Sequence, residues 1–351
     1  MSASVLTSAR VLRVCLLLAG VLFLLSFVSL AVGAASIPVV DVGAALWSGV
    51  TGATDSVAAD YRTIVLDVRL PRLLMAMIVG AALGVAGAGY QALLRNPLAD
   101  PYVLGVSSGA ALGALLSLLL SARLAPLAAF VGAVLTIAAV YFLGQRRSEI
   151  APYTLLLAGI IMASFLSGLI VFLLYWLSGR DLRGFIFWLM GDLSNPPALG
   201  YLFWLGLGVL AAIAVVYVLA GDLNLLLSGE PEAEALGVNV ERTKLLVYLA
   251  ASFATGLAVS VSGAIGYVGL LVPHLVRLLF GGDYRLLVPA TALGGAVVLV
   301  TADMLARTIV APSELPVGAV MALVGAPVFI YLLRSRLAPQ SGAPAAEGAG
   351  K

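Results

Sequence analysis

Arg95-Asn96-Pro97-Leu98-Ala99-Asp100-Pro101-Tyr102-Val103-Leu104-Gly105-Val106-Ser107-Ser108-Gly109-Ala110 is a polar stretch, broken twice by proline, between two segments that are otherwise apolar. A hydrocarbon interior offers no partner to the backbone groups that such a break frees. The stretch therefore sits at an aqueous face or is buried in protein, and its flanks are membrane spans. Asn96, Pro97 and Asp100 are read as fixing its shape. Gly105 and Gly109 are read as letting the following helix approach its neighbours.

The rest of the chain agrees with a membrane setting. Of 351 residues, 62% are hydrophobic and only 10% charged, and the mean hydropathy is +1.12. That leaves too little polar surface to cover a soluble globule. At about 20 apolar residues per span, the sequence predicts an all-α integral membrane protein of ten transmembrane helices with both termini cytoplasmic. The net charge of +2 gives no case for nucleic acid, and the lone Cys15 allows no intrachain disulfide.

In chain order, residues 1–13 form an inner terminus with Arg10 and Arg13, followed by an apolar run from Val14 to Val32. Gly33-Ala34-Ala35-Ser36 mimics a signal cleavage site, but the run exceeds the roughly 7 to 15 residues of a signal core, so it is read as a retained span. Residues 36–68 carry Asp41, Asp55, Asp60, Arg62 and Asp67 and are read as an outer loop. The second span starts at Arg69-Leu70-Pro71-Arg72, with proline in the first helical turn. Gln145-Arg146-Arg147 marks an inner loop by the positive-inside rule. The segment from Ser178 to Ala198, with Arg180, Asp181 and Arg183, is read as a small interfacial helix at the outer mouth. A large inner insertion, about 222–242, is expected to hold two short helices, with Ser228 capping an acidic helix and Gly237 as the bend. Gly263 to Gly269 is placed as an outer turn. The core is bounded at 14–333, and 334–351 is expected to be a disordered inner tail. Gly84–Asn96 and Ser260–Val272 share a weak pattern that suggests an inverted repeat.

A series of local motifs in this order resembles the permease subunit of iron-siderophore, haem and vitamin B12 importers of the ATP-binding-cassette (ABC) class. They include Arg69-Leu70-Pro71-Arg72, the opening stretch, Met190-Gly191, Glu234-Ala235-Leu236-Gly237-Val238, Ser262 to Leu270 with Val272-Pro273-His274, Ala302-Asp303 with Ala306-Arg307, and Glu314-Leu315-Pro316-Val317-Gly318. The resemblance implies a type II importer fold making one transmembrane permease domain over 1–351, in a bacterial plasma (inner) membrane. It also implies a homodimer with the pathway at its interface, two cytoplasmic ATPase subunits and one substrate-binding protein outside. ATP and magnesium would belong to the ATPases, and this chain would bind no cofactor or metal and carry no catalytic residue.

On that resemblance, Arg69, Arg72 and Arg307 are expected to be exposed guanidinium groups that dock the binding protein. Residues Ser228, Glu230, Glu234, Ala235, Leu236, Gly237 and Val238 would couple to the ATPase, and Ala151, Pro152, Tyr153 and Thr154 would lie at the inner gate. Pro273 and His274 are read as structural, since a single histidine gives no metal constellation. Asp303, four residues before Arg307, is expected to form a local ion pair with it. Ser107, Ser108, Ser164, Ser167, Ser260 and Ser262 are read as packing contacts. The chain contains no G-x-x-x-x-G-K-[ST] phosphate loop, so any ATP is hydrolysed by a partner. A proton- or ion-coupled carrier is the alternative, but it wants ionisable side chains within the spans. An intramembrane enzyme would want a metal or nucleophile cluster.

Overall fold

The computed structural model describes residues 6–33, 35–52, 57–118, 121, 124–146, 149–175 and 179–337. Fifteen α-helices are built from them: α1 (Ser8–Ala31), α2 (Val39–Thr51), α3 (Ala59–Thr63), α4 (Leu70–Leu93), α5 (Val106–Leu118), α6 (Ala125–Gly144), α7 (Pro152–Leu174), α8 (Gly179–Leu189), α9 (Leu199–Val218), α10 (Ala220–Leu226), α11 (Glu230–Ala235), α12 (Val240–Ser262), α13 (Val268–Phe280), α14 (Tyr284–Thr308) and α15 (Val317–Leu337). A two-residue antiparallel ladder, Gln145–Arg146 with Glu149–Ile150, links α6 to α7. Among the described residues seven helices are long and apolar enough to cross a membrane, and α2, α5, α13 and α15 are shorter apolar helices.

At the centre stands α4, packed by α14, α12, α13 and α9. Its small residues make this possible. A Cβ on Gly80 would lie 2.3 Å from the Gly295 carbonyl oxygen, and one on Gly87 would lie 1.8 Å from that of Gly269. Helix α5 packs on α6 in the same way, with Gly109 against Gly132 and Thr136. With lipid outside, there is no hydrophobic drive between helices, so close backbone approach supplies the van der Waals attraction. The outward rows, such as Leu135, Phe142 and Trp204, are exposed, as suits a surface that faces hydrocarbon.

Three sequence boundaries are corrected. Residues 36–68 are not a plain outer loop: they contain α2 and α3, and α3 continues through a π-helical stretch (Ile64–Arg69) into α4. Helix α2, apolar but only 13 residues long, buries Val42, Ala45 and Ser48, three residues apart on one face. The widened π turn directly precedes Pro71, whose ring cannot donate or fit a regular turn. Finally, α15 runs on through residues 334–337, the first four of the expected tail, whose remainder lies outside the described residues.

The opening stretch is not only an inner connector. Leu98 N donates to Asn96 Oδ1 at 2.9 Å, and Tyr102 N to Asp100 Oδ1 at 2.8 Å, which starts a short 3-10 turn over Pro101–Leu104. Gly105 ends it at φ +76°, the left-handed region that suits glycine. The turn then enters the bundle: Tyr102 Oη accepts from Ile265 N at 3.0 Å, and a Cβ on Gly269 would meet Pro101. The segment 263–267, expected as an outer turn, is likewise a coil with Gly263 and Ile265 buried. The two helix breaks therefore meet inside the protein, where the Tyr102 hydroxyl satisfies one backbone donor of the second break. The residue alignment of the expected repeat does not hold, since 84–93 is helical where 263–267 is not, although a long helix, a break and a 13-residue helix recur in α4–α5 and α12–α13.

Candidate functional site: two polar clusters at opposite ends of the bundle

The first cluster lies where α1 ends and α4 begins. Arg72 Nε donates to Asp303 Oδ1 at 2.8 Å, and its Nη1 donates to Glu314 Oε2 at 2.6 Å. Arg307 Nε lies 3.0 Å from Asp303 Oδ2, one helical turn away on α14. Arg307 Nη2 also donates to Ser29 Oγ at 2.8 Å and Ser29 O at 3.2 Å, and Nη1 to Val32 O at 3.3 Å. Arg69 Nη1 donates to Leu30 O at 2.6 Å and Ala31 O at 2.9 Å, and its Nη2 to Ala35 O.

The last carbonyls of a helix have no partner within it and carry partial negative charge. Arg69 and Arg307 supply both the missing donors and the opposite charge to the end of α1. This corrects the expectation of exposed docking groups at Arg69, Arg72 and Arg307, which are 6%, 6% and 7% exposed. The physical reason is that acceptors are at hand on the inner side, so the guanidinium forks turn inward instead of toward water. Only Glu314 of this cluster keeps a large exposed share, 41% of its side chain. The Asp303–Arg307 pair is present as expected. Its second partner, Arg72, lies 231 residues away, a separation at which no local signal operates.

The second cluster lies at the other end of α4. Arg95, held at φ +46°, reaches Glu230 Oε1 through Nη2 at 3.2 Å, while Lys244 Nζ donates to Glu230 Oε2 at 2.6 Å and to Glu241 Oε1 at 2.9 Å. Glu230 thus ties the start of α11 to both α4 and α12. Asn224 of α10 donates to Asp283 Oδ1 at 2.8 Å and accepts from Tyr284 N at 2.9 Å. The pair α10–α11 is thereby fastened to three long helices. Its tip is bare: Glu234, Ala235 and Gly237 are exposed, and Leu236 is 67% exposed, while Val238 is buried.

Ser228 does not cap α11. Its N–H donates to Leu225 O, and Gly229, at φ +142°, occupies the cap position without a side-chain bond. The short helices are separated at Leu227–Gly229, and Gly237 (φ +88°) instead leads toward α12, whose cap is Asn239.

Other expected sites are dispersed. Pro152 starts α7, and Tyr153 is 78% exposed beside Ala151 and Thr154. Pro273 lies within α13, and buried His274 packs edge-on against Phe329 at 6.2 Å. Ser164, Ser260 and Ser262 donate to carbonyls three or four residues back, as packing residues do. Ser108 and Ser167 approach to 3.5 Å. The side chains of Asp181 and Arg183 lie outside the described residues, although α8 itself forms as expected. Sequence reasoning missed Gln91. Its Nε2 lies 3.4 Å from the carbonyl oxygens of Gly269 and Leu270, and its Oε1 accepts from Arg277 Nη1 at 3.1 Å.

A central small-residue helix, two helix breaks that meet inside the bundle and seven helices long and apolar enough to cross a membrane define a multi-pass membrane protein. The FecCD transport family model matches residues 21–335, and the chain belongs to that family. It is 41% identical over 310 residues to the ABC transporter permease YvrB of Bacillus subtilis (strain 168), which covers 86% of this chain and 87% of that one. It is also 41% identical over 285 residues to the hemin transport system permease HmuU of Yersinia pestis, covering 79% and 85%. Against the cobalamin import system permease BtuC of Halobacterium salinarum, identity is 41% over 278 residues, covering 78% and 74%. A solved structure described as an inward-facing conformation of a metal-chelate type ABC transporter superposes with a TM-score of 0.80 at 30% identity, covering 92% of this chain and 99% of that one.

Proposed function

We propose that this chain is the membrane-spanning subunit of an ATP-driven importer for a bulky iron chelate, haem or a corrinoid. The seven long apolar helices together with α5, α13 and α15 make its ten spans, and both termini face the cytoplasm of a bacterial cell. Two copies form the transport unit, with alternating access between them. The exposed apolar rows of α7 (Leu157, Ile161, Phe165) and α15 (Leu323, Val324, Ile330) are the faces that the second copy would cover.

The observation that carries the reading is the tip of α11. An exposed leucine that caps the end of a six-residue helix, clasped at its base by Glu230 to Arg95 and Lys244, suits contact with a moving partner. A short, rigid element passes a push to α4 and α12 as a rigid body, which is what a subunit without its own phosphate loop needs from a separate ATPase. On the opposite face, a substrate-binding protein would dock over the surface where Glu314 is exposed. There Arg69, Arg72 and Arg307 hold the helix ends that frame the dock. The relatives named for haemin and for cobalamin are equally similar, so the substrate is set by measurement.

The test is reconstitution. The full chain in proteoliposomes with its ATPase and binding protein is expected to take up one of haem, a ferric siderophore or cobalamin, only with ATP. Uptake that runs on an ion gradient without ATP would overturn the reading in favour of a coupled carrier.

A further inference from the structure

Apart from both polar clusters, a cavity of about 530 Å³ opens between the first turns of α1, the end of α9 and the first turns of α14. It lies at the same end of the bundle as α10 and α11. Arg10 Nη2 donates to the carbonyl of Phe280 at 2.9 Å, and Tyr284 is bonded to Asn224 of α10. The cavity is two-sided in chemistry. Val11, Cys15, Ile213 and Val288 form an apolar floor along the helix axes, while Thr7, Ser8, Tyr217 and Arg285 line it with hydroxyl and guanidinium donors.

Arg285 is the unusual member. Its backbone N–H donates to Asp283 Oδ1 at 2.9 Å, but its guanidinium has no hydrogen bond or ion pair among the described residues. The nearby carboxylates are engaged: Asp283 accepts from Asn224, and Asp222 accepts from Thr243. Arg10 and Arg13 add positive charge to the same turns of α1. An unpaired guanidinium above an apolar slot, at the level where helix ends meet the headgroup layer, matches a ligand that is anionic at one end and aliphatic at the other.

We propose that this cavity is a binding site for an anionic phospholipid of the inner leaflet. Its phosphate is held by Arg285 with Thr7, Ser8 and Tyr217, and an acyl chain lies along Val11, Ile213 and Val288. The site is independent of the transported substrate and of the ATPase. Its chemistry separates lipids by headgroup: phosphatidylglycerol presents a net negative charge to Arg285, whereas phosphatidylethanolamine brings its own ammonium.

The experiment is native mass spectrometry of the full-length protein released from nanodiscs that contain equal phosphatidylglycerol and phosphatidylethanolamine. Wild type is expected to retain phosphatidylglycerol preferentially, by about fivefold for one surface arginine. Arg285→Gln is expected to lose the preference, and Arg285→Lys to keep most of it. Ile213→Trp, which fills the floor, is expected to lower retention of both lipids. Equal retention of the two lipids by wild type, or an unchanged preference in Arg285→Gln, would overturn the proposal. So would displacement of the lipid by inorganic phosphate alone, because that would mark a phosphate site with no use for the acyl slot. Arg285 is exposed and bonds the fold only through its backbone, so its variants are expected to fold.

Discussion

Replacing Asp303 by asparagine tests whether the buried cluster at the end of α1 is held by charge. Asp303 has a 2% exposed side chain between two guanidinium groups, each on a side chain 7% exposed. Asparagine keeps the shape and one acceptor oxygen but removes the negative charge. Arg307 would retain its bonds to Ser29 and Val32, whereas Arg72 would keep Glu314, which is partly in water, as its one carboxylate partner. Removing one partner from a buried ion pair costs about 3–5 kcal/mol, because the remaining charge is left uncompensated. By contrast, Glu314→Gln removes a half-exposed partner and is expected to cost about 1 kcal/mol or less. The assay is thermal unfolding of the purified protein in detergent, followed by fluorescence of its 4 tryptophans. Asp303→Asn is expected to lower Tm by roughly 5 °C or more, well beyond Glu314→Gln. Asp303→Asn combined with Arg72→Met should recover part of the loss, since no unpaired charge then remains at Arg72. A Tm for Asp303→Asn within the range of Glu314→Gln would refute the argument that charge holds this cluster together.

Gly87→Ala puts a methyl group 1.8 Å from the Gly269 oxygen. Such overpacking costs ~1–3 kcal/mol or more, so the yield of monodisperse protein in size-exclusion chromatography should fall sharply, while Gly20→Ala, with open space around it, should leave it unchanged. Asp100→Ala removes the acceptor for Tyr102 N and with it the start of the turn under α13, which should lower Tm by the effect of about 1 kcal/mol typical of a lost cap. Glu230→Gln leaves α11 folded but weakens its tie to Arg95 and Lys244. The expected result in the reconstituted importer is ATP hydrolysis that proceeds with reduced uptake, and equal loss of both activities would argue that Glu230 serves only stability.

Much of this architecture was legible because the relevant signals are local. Apolar runs such as Val14 to Val32 or Leu199 to Val218 report a spanning helix from consecutive residues, and Asn96-Pro97 with Asp100-Pro101 reports a break from four more. The order of these motifs was enough to place the chain in its family. Helix α2 was not legible, since 13 residues are too few to span and its buried face is only three small or medium residues. Nor was the inward turn of Arg69, Arg72 and Arg307, because an arginine at a helix end reads the same whether it meets water or a carbonyl.

By itself the sequence determined a membrane-embedded helical chain, the positions of its breaks and the polar segments at its two ends. The physical reason is that lipid imposes one demand, satisfied backbone within each segment, which must be met by neighbouring residues. Only the tertiary structure decided which charges meet. Arg72 finds Asp303 across 231 residues, Gln91 reaches Gly269 across 178, and the Arg285 guanidinium finds no partner among the described residues. Those pairings depend on how α4 lies against α13 and α14, a packing set by glycine contacts whose partners are distant in the chain.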